Sequence, residues 1–456
     1  MTSYLLDFDR WFSRSGICIR VFAYLLARVR KLAFYLALLA FAFLQNPNFC
    51  CLSSEKMIDF NVKIYRRKLA ILVNGIWAIP CVVFIRILKP LILIRTGQIF
   101  SERIGHFVQD SSEHFVRRKY LGEGSFDILS LGGISNIQWL SMLRRVNLVR
   151  GRWAHYLHAW NRRLPGNTQH VVPSSFTNSR DMHGLFVRFD AQIPFTSEEN
   201  FEAKEWLKSK GWTEGEAFIC LLVRDSAYTM ALENAPEDLH ETSFRNSKIE
   251  TYVPAIDWLS AQGVWVIRMG IQMNTKLISE SARVIDYSFD AGKSALLDIW
   301  LFANCTGCIS TGSGPDVISQ VYRKPLLFLN TLPLWHLNSS SNCIWLPKKL
   351  MWADNSASLS LDEHLRFGFM RDSDYANSGI DTVDNTSEEI LHTVQEFWHR
   401  LDGSWLETAG MALLQNEFWE AFSKWASFDS FHEWRHPEFR LAHSWISALP
   451  NTFFKS

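Results

Sequence analysis

Hydrophobic positions along this chain change their spacing in a repeating order. Pro90-Leu-Ile-Leu-Ile-Arg95 is a short apolar run of strand type, and in residues 103–117 Ile104, Phe107, Val108, Phe115 and Val116 recur at helical spacing. Residues 127–131 read as another strand, ending in Gly132-Gly133, and 137–149 as a helix running into a strand. A stretch rich in Pro, Asn, Ser and charge follows at 166–200, with a helical pattern after it at 198–210; it marks an interdomain linker. The order then starts again. Phe218-Ile-Cys-Leu-Leu-Val223 predicts a strand, 224–247 a long polar loop, 249–262 a helix, 264–268 a strand, 282–285 a short strand and 294–303 a helix. From Cys308 the chain reads as strand, small-residue loop, short helix and a last strand ending at Asn330. Strand, glycine loop and helix in alternation predict doubly wound α/β structure. Beyond 350 the pattern gives a helix at 386–401 and an aromatic helical tail, whose Met411, Leu414, Phe418, Phe422 and Trp425 read as core packing.

The first hundred residues follow another rule. Their apolar blocks, 32–44 and 69–85, are respectively too short and marginal for a bilayer that takes about 20 helical residues. Lys63, Arg66, Arg67 and Lys68 precede the second block, which contains Asn74, Gly75 and Pro80, and Arg86 and Lys89 follow it. Earlier, Arg20, Arg28 and Arg30 interleave with apolar residues as in a helix lying on anionic lipid. Asp7, Asp9 and the late start of the apolar block argue against a secretory signal. The expectation is a shallow anchor at the inner face of the cell membrane. A buried helical hairpin and a spanning helix at 69–95 are the alternatives.

Composition adds an asymmetry. The net charge of the 456 residues is only +1, yet residues 1–100 hold 14 Lys or Arg against 4 Asp or Glu, and the rest 33 against 42. An acidic body, with basic residues gathered beside apolar blocks, excludes a nucleic-acid-binding face. Eight cysteines, at 18, 50, 51, 81, 220, 305, 308 and 343, make no disulfide framework for a chain this long and suit a reducing cytoplasm. Cys305 and Cys308 lack a second pair at zinc-site spacing and read as buried small residues.

Candidate chemistry gathers at predicted strand ends. In the loop after Cys308, Gly312 and Gly314 let the backbone approach an anion, while Ser310, Thr311 and Ser313 add hydroxyls. Asp316 opens the next helix, either as its cap or as a partner for a sugar hydroxyl; an ordinary strand-to-helix turn is the competing reading. Arg224 and Arg268 end two strands and Arg245 lies in the intervening loop, positions that in an open sheet face the ligand crevice. His106 follows the first strand, with Asp110 and Glu113 one and two turns on; an imidazole of ordinary pKa near 6.5 suits a general base, and packing at a helix start is its bland alternative. No set of carboxylates has metal-site spacing, so the expectation is no metal and no cofactor.

Val223-Arg-Asp225, Phe244-Arg-Asn246 with Tyr252, Val266-Ile-Arg-Met-Gly270, Ser310-Thr-Gly-Ser-Gly314 and Asp384-Asn-Thr-Ser-Glu-Glu-Ile390 resemble a family of bacterial glycosyltransferases of the GT-B type, found with genes for surface polysaccharides. The likeness covers 218–390 and hardly touches the first hundred residues. Leu222-Val-Arg-Asp225 is more distantly similar to the arginine-bearing strand of the fucosyltransferase-like group. The resemblance implies two doubly wound Rossmann-like domains facing across a cleft, preceded by the helical membrane-associated extension. The stretches are then 1–89 for that extension, 90–200 for an acceptor domain, 201–400 for a nucleotide-sugar-binding domain and 401–456 for the aromatic tail. It also implies hexosyl or deoxyhexosyl transfer from a nucleotide-sugar donor to a lipid-linked or polysaccharide acceptor, with basic side chains rather than a metal neutralising the leaving diphosphate. Glu388 and Glu396 have the separation seen in retaining members, but they sit on a simple amphipathic helix capped by Asn385 or Thr386, and chance explains them better. Two other classes fit the same scaffold: a nucleotide-sugar epimerase or hydrolase, and a non-catalytic glycan-binding scaffold on the membrane.

Overall fold

The computed structural model describes residues 55–122, 124–172, 181–227, 242–450 and 452–454, without the side chains of 55–64 and 67. The segment with Arg20, Arg28 and Arg30, the block 32–44, and Cys18, Cys50 and Cys51 lie outside the described residues, as do 228–241 of the polar loop. The strands, in chain order, are β1 (Leu93–Ile99), β2 (Ser125–Leu131), β3 (Phe218–Leu222), β4 (Trp265–Arg268), β5 (Val284–Asp286), β6 (Gly307–Ser310), β7 (Leu326–Thr331), β8 (Cys343–Pro347), β9 (Lys349–Trp352), β10 (Ile380–Val383) and β11 (Arg440–Leu441). The helices that matter below are α1 (Glu55–Ile87), α2 (Ile104–Tyr120), α3 (Trp153–Arg163), α4 (Val253–Ala261), α5 (Asp316–Val321), α6 (Ser387–Leu401) and α7 (Ala409–Phe422).

Two units interleave along the chain: 1–99, 123–132 and 148–174 form one, and 100–122, 133–147 and 175–456 the other. In the first, β1 and β2 pair in parallel from Leu93↔Ser125 to Ile99↔Leu131, with Arg95 and Asp127 joined across the pair at 2.8 and 2.7 Å. The full doubly wound sheet expected here is, among the described residues, this one pair extended by a bridge from Thr96 to Val171. The strand expected at the end of 137–149 does not form; the helix there stops at Arg145 and Asn147 turns left-handed at φ 54°. α1 lies on α3: Trp77, Ala78 and Val82 pack with Ile128, Ala154 and Leu157. Gly75 permits the approach, because a Cβ there would stand 2.6 Å from the Trp160 ring, whose indole N–H donates to Ile71 O at 2.7 Å. Within α1, the stretch Lys68–Ile87 is long and apolar enough to cross a membrane.

The second unit is built on a seven-stranded, wholly parallel sheet in the order β11-β8-β7-β6-β3-β4-β5. Its central strands are buried on both faces, as their unbroken apolar runs require. One face carries α4 and α6, where Ile256, Leu259, Ile390, Val394 and Phe397 meet Ile219, Leu221, Ile309 and Leu327. α6 begins as its sequence predicts, with Thr386 Oγ accepting from Glu389 N at 3.2 Å and the Glu389 carboxylate accepting from Thr386 N at 2.8 Å. Cys220, Cys305 and Cys308 are buried. The aromatic tail is continuous with this unit: Phe418 and Phe422 are fully buried, and β11 pairs with β8 through Arg440↔Ile344.

Asn330 binds three of these elements. It sits in the left-handed region at φ 55°, fully buried near the end of β7, where a register shift falls between Leu329 and Thr331. Its Oδ1 accepts from the backbone and side chain of Asn385 at 2.8 and 2.7 Å, and its Nδ2 donates to the Tyr252 hydroxyl at 3.2 Å. Asn330→Ala leaves those groups unpaired and puts a Cβ residue without a local hydrogen bond into the left-handed region, so the expected loss is about 2–4 kcal/mol, read from the urea midpoint of unfolding.

Candidate functional site

From β3 the chain steps outward to β4 and β5, then returns to place β6 on the other side of β3. In open α/β sheets such a reversal, here at the carboxyl ends of β3 and β6, is where the connections part and a ligand crevice forms. Arg224 follows β3 and the Thr311–Pro315 loop follows β6, so the strongest sequence motif and one of the three expected arginines meet at this point. They are stitched together: Arg224 N donates to Thr311 Oγ at 2.9 Å and Thr311 N to Leu222 O at 3.0 Å.

The small-residue loop is braced from within. Ser310 Oγ donates to Asp316 Oδ2 at 2.7 Å, Ser313 N donates to the same carboxylate oxygen at 2.8 Å, and Gly312 N donates to Ser310 Oγ at 3.1 Å. Gly312 holds φ at +72°, which lets the turn close. The amides of Gly312 and Ser313, in the loop expected to cradle an anion, are therefore engaged by Ser310 and Asp316. Asp316 holds the loop's shape; burial pushes its carboxyl pKa up to about 6, against the hydrogen bonds from Ser310 and Ser313.

Gly314 has a different task. A Cβ at Gly105 would stand 2.9 Å from Gly314 Cα, and one at Gly314 would stand 3.2 Å from Gly105 N. The first turn of α2 thus rests backbone to backbone on the loop. This first turn is unusual in its charge: Arg103 is the N-cap, no side chain caps the helix, and no acid lies in the turn, while Arg117, Arg118 and Lys119 occupy the favourable far end. An uncapped helix start flanked by a guanidinium is an anion site in waiting.

Two further arginines complete it. The Arg245 guanidinium donates to Gly312 O. Burial holds its pKa below the ordinary value, Asp316 opposes the shift, and the charge of Arg103 adds to it. Arg224 donates through Nη2 to Thr242 Oγ at 2.8 Å, while its buried Nη1 has no partner among the described residues. Burial first, and then Arg245, bring the Arg224 pKa down to about 10. The 242–245 turn that carries Arg245 is held by Asp372, which accepts from the backbone N–H groups of Ser243 and Phe244 at 2.6 Å each.

His106 follows Gly105, with its ring edge-on to Phe100 at 5.2 Å between centroids. Burial and then the Arg103 charge hold its pKa below 6.5, so the imidazole is neutral at pH 7. Asp110, one turn on, is buried with its carboxyl bonded to the backbone at Phe100; burial and neighbouring Glu113 push its pKa up to about 7. Glu113 is itself held high by burial, against its ion pair with Arg117 at 3.0 Å.

Arg268 does not join this group. It is 1% exposed, its Nη1 lies 3.2 Å from Asp286 Oδ2 and also donates to Thr275 O, and its guanidinium stands 6.0 Å from the Phe289 ring centre. Arg268 and Asp286 are register partners across β4 and β5, so the ion pair is built into the sheet. The expected catalytic arginine is in this structure a structural one. Glu396 is likewise committed, accepting from Arg400 at 3.1 Å and from His443 N at 2.8 Å. Sequence reading missed Arg103, although an arginine just ahead of a helix with no acid in its first turn was the available signal. Asp372 had no such signal, because its partners lie about 130 residues away.

No protein-family model matches the chain, and no curated protein matches it. Among solved structures it is similar to a family 9 glycosyl transferase from Veillonella parvula, at 15% identity over 56% of this chain and 86% of that one, with a TM-score of 0.35. It is also similar to the Escherichia coli ADP-heptose heptosyltransferase II (9%, 53% and 86%, TM-score 0.31) and to the dodecameric heptosyltransferase TibC in complex with ADP-D-β-D-heptose (12%, 69% and 77%, TM-score 0.35). Likeness this low leaves the activity to be read from the site itself.

Asp110 gives the site a pH signature. Its folded pKa of about 7 lies above the ordinary 3.8, so the folded state holds the proton more tightly, and the stability this contributes is full below pH 4 and lost as pH rises through 7. Asp110→Asn is expected to remove up to one proton from the slope of unfolding free energy between pH 4 and 7, measured by urea titration at each pH.

Proposed function

We propose that this chain is a glycosyltransferase that binds a nucleotide-sugar donor in the β3–β6 crevice and transfers its sugar to a hydroxyl of a lipid-linked or polysaccharide acceptor. The observation that carries this reading is the convergence of Arg103, Arg224 and Arg245 with the uncapped start of α2, on a loop whose own carboxylate, Asp316, faces inward. Burial and then the Arg245 charge lower the proton affinity of Arg224, and burial with the Arg103 charge lowers that of Arg245; such a cluster is short of negative charge, and a diphosphate supplies it. Charge builds on the diphosphate as its bond to the anomeric carbon breaks, so donors fixed around it favour the transition state over the ground state. No divalent cation is then needed for that neutralisation.

The acceptor oxygen bonds to the anomeric carbon as the bond from that carbon to the diphosphate oxygen breaks, the electron pair leaving with the nucleoside diphosphate. The hydroxyl proton passes to His106, which burial keeps in its neutral, proton-accepting form. Asp110 and Glu113, buried behind it, are positioning residues. Arg268 keeps the neighbouring strand ends in register.

A thermal-shift panel of UDP, GDP, CDP, ADP and dTDP tests the reading. One of them is expected to raise the melting temperature, by about 2.7 kcal/mol of stabilisation at a hundredfold excess over its dissociation constant. Arg245→Ala and Arg103→Ala abolish that shift. Arg268→Ala instead lowers the melting temperature of the free protein by breaking a buried ion pair. No shift with any nucleotide would transfer the assignment to the glycan-binding scaffold. His106→Ala should bind the nucleotide as before and lose about 10²–10⁴-fold in transfer rate, assayed by release of nucleoside diphosphate.

A further inference from the structure

Exposed and buried positions divide α1 into two opposite faces, and both are apolar. Gly75, Trp77, Ala78, Val82 and Ile85 are buried. On the other side Leu69, Leu72, Ile76, Val83 and Ile87 recur at three- and four-residue steps and are exposed, Leu72 by 62%, Ile76 by 57% and Ile87 by 68%. Pro80, also exposed, falls in the same line, and Leu91, 85% exposed, extends it past the helix. Over the 18 helical steps from Leu69 to Ile87 the stripe runs about 27 Å. A soluble helix turns charge to water on this side, and contiguous exposed apolar surface marks an interaction site.

We infer that this stripe lies in the plane of an anionic lipid surface, with α1 parallel to the bilayer and its opposite face holding the β1–β2 unit. Charge placement selects lipid as the occupant. Exposed Arg66 and Lys68 stand at one end and Lys89 at the other, so both ends of an uncharged strip meet a headgroup layer with cations. Packing selects the orientation. The inner face of the same helical turns is fixed to α3, with Arg86 donating to Asn161 Oδ1 at 2.9 Å and its backbone carbonyl at 3.0 Å. Were Lys68–Ile87 to span the bilayer, α3 with exposed Arg162 and Arg163 would follow it into hydrocarbon, where charges and unpaired strand edges are costly. Lying flat, α1 buries its stripe at the level of the headgroups and leaves α3 in water. This inference does not depend on the proposed enzymatic activity.

Flotation of the full chain with phosphatidylcholine vesicles containing phosphatidylglycerol tests the surface. Binding is expected there, and at least about tenfold weaker to phosphatidylcholine alone. The triple variant Leu72→Glu, Ile76→Glu, Val83→Glu alters no packed residue; it should lose vesicle binding more than about tenfold while keeping its melting temperature and oligomeric state. Equal flotation of the variant overturns the proposal. So does an oligomer that dissociates in the variant with flotation unchanged, which assigns the stripe to a second copy, and so does a wild-type chain that never floats, which leaves the stripe to be covered by the chain's own 32–44 block. Orientation is read from a fluorophore on Leu69→Cys, Ile76→Cys or Ile87→Cys, in a chain carrying Cys18→Ser, Cys50→Ser, Cys51→Ser and Cys81→Ser, with lipids quenched at graded depths. Equal depth at all three supports the in-plane helix; position 76 deepest, with 69 and 87 shallow, overturns it.

Discussion

Everything at the proposed site depends on one contact without side chains, that of Gly105 with Gly314. A methyl group on either residue would force the helix and the loop apart by several tenths of an ångström or more, because the opposing atoms are backbone and have nowhere to rotate. The contact sets where α2 begins, and so where Arg103 and His106 stand. It also sets what lies beside the loop, since the amides of Gly312 and Ser313 are already engaged by Ser310 and Asp316. The proposed anion site is thereby moved from the loop to the helix start and the guanidiniums around it.

Electrostatics then works in opposite senses on two sides of α2. At its start, Arg103 adds positive charge where the helix dipole is already positive, an arrangement unfavourable in the empty protein and relieved by an anion. One turn further in, Asp110 and Glu113 are buried close together, and burial favours their protonated forms. The helix therefore joins a cationic tip to a neutralised acidic interior, with a neutral imidazole between them. A general base needs such a neighbourhood, in which the nearest charges hold it unprotonated without taking its proton themselves.

Much of the second unit was legible in the sequence, because its strands are buried on both sides and read as unbroken apolar runs between glycine-bearing turns. β3, β4, β6 and β7 fall within a residue or two of the strands expected at 218–223, at 264–268, from Cys308 and ending at Asn330. β8 and β11 escaped notice, the first for its Trp345 and terminal Pro347 and the second because two residues carry no period. The site was legible in part. Position after a strand marks a residue as near the crevice, but the neighbouring strand decides what that residue does: Arg268 faces Asp286 across β4 and β5, while Arg224 has Thr311 and Thr242. Such pairings join residues far apart in the chain, and no local pattern contains them.

The interleaving of the two units reaches beyond stability. The chain passes between them five times before residue 175, so no single cut in the gene yields one unit intact without fragments of the other. Recombination that exchanges whole modules has no breakpoint to use here. Change in either unit must then accumulate by substitution in place, with both units kept folded at every step.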